Sequence, residues 1–67
     1  MTVTLIGPDN VRSTVSISND TTVRDVATSR YDLSWRITKR NGTIVDPFIT
    51  KVKDGDTVTI DEISEGD

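Results

Sequence analysis

Residues 41–60 read NGTIVDPFITKVKDGDTVTI. Asn41-Gly42 offers two adjacent positions that tolerate positive φ, which is what a type I′ hairpin turn requires. A two-residue loop there sets Arg40 across from Thr43 and Lys39 across from Ile44. Asp46-Pro47 breaks the second arm, because proline has no N–H to give a ladder and restricts the residue before it. FITKV, residues 48–52, reads as a short strand or a packed loop whose Phe48 and Val52 help close the core. Asp54-Gly55-Asp56 is a turn in which Asp54 caps its own backbone. TVTIDEI follows as the last strand, with Val58 and Ile60 inward and threonines outward at a period of two.

Reading upstream, Trp35 and Ile37 alternate with Arg36 and Thr38. This phase predicts Trp35 in the core, with Arg36, Thr38 and Arg40 sharing the outer side beside Thr43 and Val45. Before it, NDTTVRDVATSRYDLS changes period: Val23, Val26, Ala27 and Tyr31 fall on one face of a short helix. Thr22 followed by Asp25 has the form of a capping box, with Thr21 as the alternative cap. A helix this short is marginal alone and needs a sheet to pack against. At the front of the chain, TVTLIG and RSTVSIS are two alternating runs around the turn formers GPDN, which predicts a hairpin.

The order is strand, strand, helix, strand, short strand, final strand. TVRDVA followed by NGTIVDPFITKVKDGDTVTI resembles the β-grasp of ubiquitin-like sulfur carriers, namely the thiamine-pathway carrier and the small subunit of molybdopterin synthase. It is similar also to the TGS domains of GTPases and threonyl-tRNA synthetases. The resemblance implies an α+β fold: a single ubiquitin-like β-grasp domain over residues 1–67 with a four- to five-stranded mixed sheet. One helix, over about residues 22–31, packs across the sheet. The last strand pairs parallel with the first, and residues 64–67 form a short flexible acidic tail.

Function is bounded by what the chain lacks. With no cysteine and no histidine, it has no thiolate nucleophile, no imidazole base and none of the usual transition-metal ligands. A stand-alone enzyme is therefore not expected, nor is a cofactor or metal site. The spacing of Asp54, Asp56, Asp61 and Glu62 does not match a calcium loop. No apolar run is long enough to span a membrane, and MTVTLIG has neither the basic nor the apolar region of a secretory leader. The expected location is cytoplasmic, of a cell or of a host.

Net charge is −3, unevenly placed: residues 30–53 carry +4 and residues 54–67 carry −6. The two segments either form a bipolar surface or pair with each other in the fold.

Three functional readings follow. The second strand is an edge strand in a β-grasp sheet, and Ser13, Thr14, Val15, Ser16 and Ile17 hold no charge or proline to guard it. That edge suits a strand from another protein, or from a second copy in a homodimer. This makes the chain a small non-enzymatic interaction module, an adaptor or modulator. The carrier resemblance implies instead a C-terminus activated by an adenylating enzyme. Such carriers end in Gly-Gly, whereas this chain has Glu65, Gly66 and Asp67, and the side chains of Glu65 and Asp67 would crowd a narrow channel. The TGS resemblance implies nucleic-acid association through a basic patch of Arg36, Lys39, Arg40, Lys51 and Lys53. An apolar patch on the outer sheet face, of the kind ubiquitin-like binders use, has only Val45, Ile6 and Phe48 to draw on.

Overall fold

The computed structural model describes residues 1–62. The strands are β1 (Thr2–Ile6), β2 (Arg12–Ser16), β3 (Arg36–Arg40), β4 (Thr43–Ile44) and β5 (Thr57–Glu62), with one helix, α1 (Val23–Thr28), between β2 and β3. They form one mixed sheet in the order β2-β1-β5-β3-β4. The central pair, β1 and β5, is parallel, and every other pairing is antiparallel. The expected tail over residues 64–67 lies outside the described residues.

Both turns that frame the fold behave as their residues dictate. Asn41 and Gly42 have φ of 52° and 87°, and β3 pairs β4 with Lys39 across from Ile44 and Arg40 across from Thr43. Gly55 takes φ of 86° in the turn before β5. There the capping differs from expectation. Asp54 reaches back instead, its Oδ1 accepting the N–H of Thr2 at 2.8 Å. Asp56 closes the turn, its Oδ2 accepting the N–H of Lys53 at 2.8 Å. The turn is thus sewn to β1 at its start, where Thr4 N–H also donates to the Asp56 carbonyl at 3.0 Å.

The helix is capped as the sequence specifies. Thr22 Oγ1 accepts the N–H of Asp25 at 3.2 Å, and Asp25 Oδ2 accepts the N–H of Thr22 at 3.0 Å. It is shorter than the expected 22–31 span. Hydroxyls at its end take carbonyls for themselves: Thr28 Oγ1 donates to the Arg24 carbonyl at 2.7 Å and Ser29 Oγ to that of Val26 at 2.6 Å. Such local bonds compete with helical propagation, and the chain leaves α1 as a turn through Tyr31.

One face of the sheet lies under α1. Its core is Val3, Leu5, Val58 and Ile60 from the central strands, Val23, Val26 and Ala27 from the helix, and Val52 from the connection into β5. Each valine, leucine or isoleucine so removed from water contributes about 1.5–3 kcal/mol. Val15, Ile17, Tyr31, Leu33 and Val45 pack around this cluster.

Strand β3 reverses the expected phase. Thr38 pairs with Ile60 and Arg40 with Val58, and paired residues share a face. Since Val58 and Ile60 face the helix, Thr38 is carried inward, where it is 3% exposed, and Ile37 and Lys39 point outward. Thr38 is satisfied there, its Oγ1 donating to the Val45 carbonyl at 3.2 Å. Trp35 precedes the strand in a left-handed conformation, with φ of 61°, and is 77% exposed. Phe48 is likewise outside the core, at 66% exposed. Its turn is pinned by the bond from Arg24 N–H to the Pro47 carbonyl at 2.9 Å and from Phe48 N–H to Asp46 Oδ1 at 2.9 Å. Val52 is in the core as expected, and Val45, expected on the outer side, packs against the core instead. FITKV is a packed loop with a single bridge, Lys51 to Thr22.

Candidate functional site

Strand β2 has one free edge, and the ladder fixes which groups it presents. Ile17 N–H donates to the Met1 carbonyl at 2.9 Å, and Gly7 N–H donates to the Val11 carbonyl at 3.1 Å. Bonded and non-bonded pairs alternate along an antiparallel ladder, so Val15 with Val3 and Ser13 with Leu5 are the bonded pairs between. The N–H and C=O groups of Arg12, Thr14 and Ser16 therefore point away from β1. Side chains alternate in the same way: Val15 and Ser13 lean toward the core, while Arg12, Thr14 and Ser16 are exposed on the open face. Ile17 lies beyond β2 and packs on the core. Of the five residues expected to form a partner-binding edge, Thr14 and Ser16 thus present the backbone. Ser13, Val15 and Ile17 hold the strand to the molecule.

A hollow of about 330 Å³ runs beside this edge, between Thr14, Val15 and Ser16 on one side and Ser29 and Arg30 on the other. Arg30 makes no ion pair among the described residues. Its place beside the edge was not legible in the sequence, where it reads as one more cation after a helix. Only the packing angle of α1 over the sheet brings it there.

The five cations expected to form a basic patch are dispersed. Arg36 and Arg40 lie on the helix side of β3 and Lys39 on the opposite face. Arg36 meets Glu62 at 3.4 Å, Lys39 meets Asp61 at 3.0 Å and Arg40 meets Asp56 at 2.7 Å. Lys51 meets Asp20 at 3.4 Å. Lys53 contributes its backbone N–H to Asp56. The cations of β3 and the carboxylates of residues 56–62 are therefore joined in the fold, strand against strand.

Asp56 is the centre of that joining. Its side chain accepts bonds from Arg40 Nε at 2.7 Å, Lys53 N–H at 2.8 Å and Asn41 Nδ2 at 3.1 Å. Burial works against its charge, but the bonds from Lys53, Asn41 and Arg40 outweigh it and hold its pKa below the ordinary carboxylate value. Asn41 in turn accepts Thr57 N–H through Oδ1 at 2.9 Å, so the hairpin turn is locked to the start of β5. These carboxylates are engaged in structure, and no three acidic groups gather at one point among the described residues.

The outer sheet face carries Ile6, Thr59, Lys39 and Ile44 in one row across β1, β5, β3 and β4. Threonine and lysine separate the two isoleucines, and Val45 and Phe48 are elsewhere, so among the described residues no compact apolar patch forms there. Glu65, Gly66 and Asp67, the carrier-tail residues, lie outside the described residues. No described helix is long and apolar enough to cross a membrane.

The same architecture occurs in the NMR solution structure of a computationally designed protein based on the template of human erythrocytic ubiquitin. The match covers 98% of this chain and 95% of that chain, with a TM-score of 0.68 and 21% sequence identity. At that identity the likeness defines the fold: the chain is a ubiquitin-like β-grasp domain. No protein-family model matches the chain, and no curated protein matches it.

Proposed function

We propose that the chain is a small non-enzymatic interaction module that captures an extended segment of another protein along β2. The observation that carries this reading is the direction of the Thr14 and Ser16 backbone groups. Their N–H and C=O face the open edge, on a five-residue strand with hydroxyl side chains and no proline or acid. A strand added there gains main-chain bonds, and side-chain pockets along it give selectivity. Arg12 and Arg30 are the charges nearest the edge, so a segment with an acidic residue across from Val15 is favoured. The absence of histidine and cysteine supports a binding role over a catalytic one.

The test is capture of a host partner by the immobilised chain, read by mass spectrometry. The Ser16→Pro variant removes an outward N–H and leaves the β1–β2 ladder whole, so it loses the partner while folding normally. Capture undiminished by Ser16→Pro overturns the reading. Conversion of the terminal carboxylate to a thiocarboxylate by an adenylating enzyme and ATP would replace it with the carrier reading.

A further inference from the structure

A groove of about 670 Å³ lies between α1, the loop leading into β3 and the turn after β4. Leu33, Pro47 and Phe48 supply its apolar lining, and Arg24 and Arg36 stand among the lining residues with Asp32. It is separate from the β2 edge, sharing no residue with the hollow there.

The lining is held in place before any ligand arrives. Arg24 N–H bonds the Pro47 carbonyl, tying the helix to the turn, and the Arg24 guanidinium carbon sits 5.5 Å from the centre of the Phe48 ring. Arg36 Nη1 donates to the Asp32 carbonyl at 2.8 Å, and Asp32 Oδ1 accepts Ser34 N–H at 2.9 Å. Rigid sites lose less entropy on binding. The composition is that of an interface centre, where aromatic residues and arginine are enriched. Trp35 and Ile49, both exposed, sit next to lining residues in sequence.

Charge selects the occupant. Arg24 has no carboxylate partner among the described residues, and the nearest partner of Arg36 is Glu62 at 3.4 Å. A guanidinium offers two parallel N–H groups to a carboxylate. Nucleic acid is disfavoured because its charges repeat along the whole strand and would extend past Arg24 to Asp32 and onto a molecule of net charge −3, whereas a peptide can place one carboxylate at Arg24 and its apolar side chain away from Asp32.

We infer that this groove is a second protein-binding site, taking an acidic peptide segment by one bulky apolar side chain. That side chain rests on Leu33, Pro47 and Phe48, and a flanking carboxylate pairs with Arg24.

The probe is a short fluorescein-labelled peptide with one leucine between pairs of glutamates, titrated into the full chain. Binding is followed by anisotropy and by amide chemical shifts. The expected result is shifts at Thr28, Leu33, Ser34 and Phe48, with the edge amides of Thr14 and Ser16 unmoved. Arg24→Glu and Phe48→Ser, both at exposed positions, each weaken binding about tenfold or more. A control peptide with lysines in place of the glutamates does not bind. Unchanged affinity in Arg24→Glu, or shifts confined to β2, overturns the proposal. So does binding of a single-stranded RNA oligomer in place of the peptide. If the peptide binds only a chain ended at Glu62, the occupant is the chain's own residues 63–67, and the proposal fails in that form.

Discussion

Asp56 is 8% exposed, and three donors converge on it from two different parts of the chain. Replacing it with alanine strands Arg40, Asn41 and the Lys53 N–H together, at a cost of about 2–4 kcal/mol. The same geometry sets a pH dependence. Its carboxyl titrates lower in the folded chain than in the unfolded chain, so the unfolded state binds the proton more readily. The stabilisation is therefore complete above the unfolded value, about 3.9, and is lost as pH falls through the folded value. Urea unfolding across the acid range will show this decline, and Asp56→Asn will flatten part of it. Gly7 is the second residue on which much depends. A methyl group there would collide with the ring of Tyr31, whose hydroxyl donates to Asp9 at 3.1 Å. Gly7→Ala will cost about 1–3 kcal/mol through overpacking. The penalty will shrink in a Tyr31→Ser background, which a double-mutant cycle measures directly.

Among the elements, β2 gives the sharpest contrast between adjacent positions. Val15 N–H points into the ladder with β1, whereas Ser16 N–H points out. Val15→Pro will cost about 3 kcal/mol or more, and Ser16→Pro far less, as thermal unfolding will show. The helix depends on its cap, and Thr22→Ala will cost about 1 kcal/mol. Where an element is decided locally, its sequence was enough. The Asn41-Gly42 turn, the Thr22–Asp25 capping box and the alternation of β1, β2 and β5 all stand as their residues specify. β3 was not legible because two alternating sets compete: Trp35 and Ile37 against Thr38 flanked by arginines. Hydrophobicity favours the first set, but pairing with β5 fixes the second, since Val58 and Ile60 already occupy the helix side. Trp35→Ser will accordingly change stability by no more than about 0.5 kcal/mol, while Ile60→Ala will cost about 2–5 kcal/mol. The candidate edge was visible as a strand without guards. The groove was not, because its walls come from three segments whose meeting depends on the loops at residues 31–35 and 46–50.

For the molecule as a whole, the charge asymmetry resolves inward. Acidic β5 lies between β1 and basic β3, so the cations of residues 36–40 are met by carboxylates before any partner arrives. What remains unmatched among the described residues lies elsewhere: backbone groups along β2, the side chains of Arg12 and Arg30 near it, that of Lys53, and Arg24 in the groove. Raising salt will weaken binding at the groove more than at the edge, because main-chain bonds are less screened than exposed charges. The central claim is strand capture by β2, and hydrogen exchange at two amides tests it most directly. In the free chain Thr14 and Ser16 N–H face solvent and will exchange rapidly, while Ser13 and Val15 are protected. Bound to its partner, the chain will show Thr14 and Ser16 slowed to the level of their neighbours. Fast exchange at both amides in a saturated complex would contradict it.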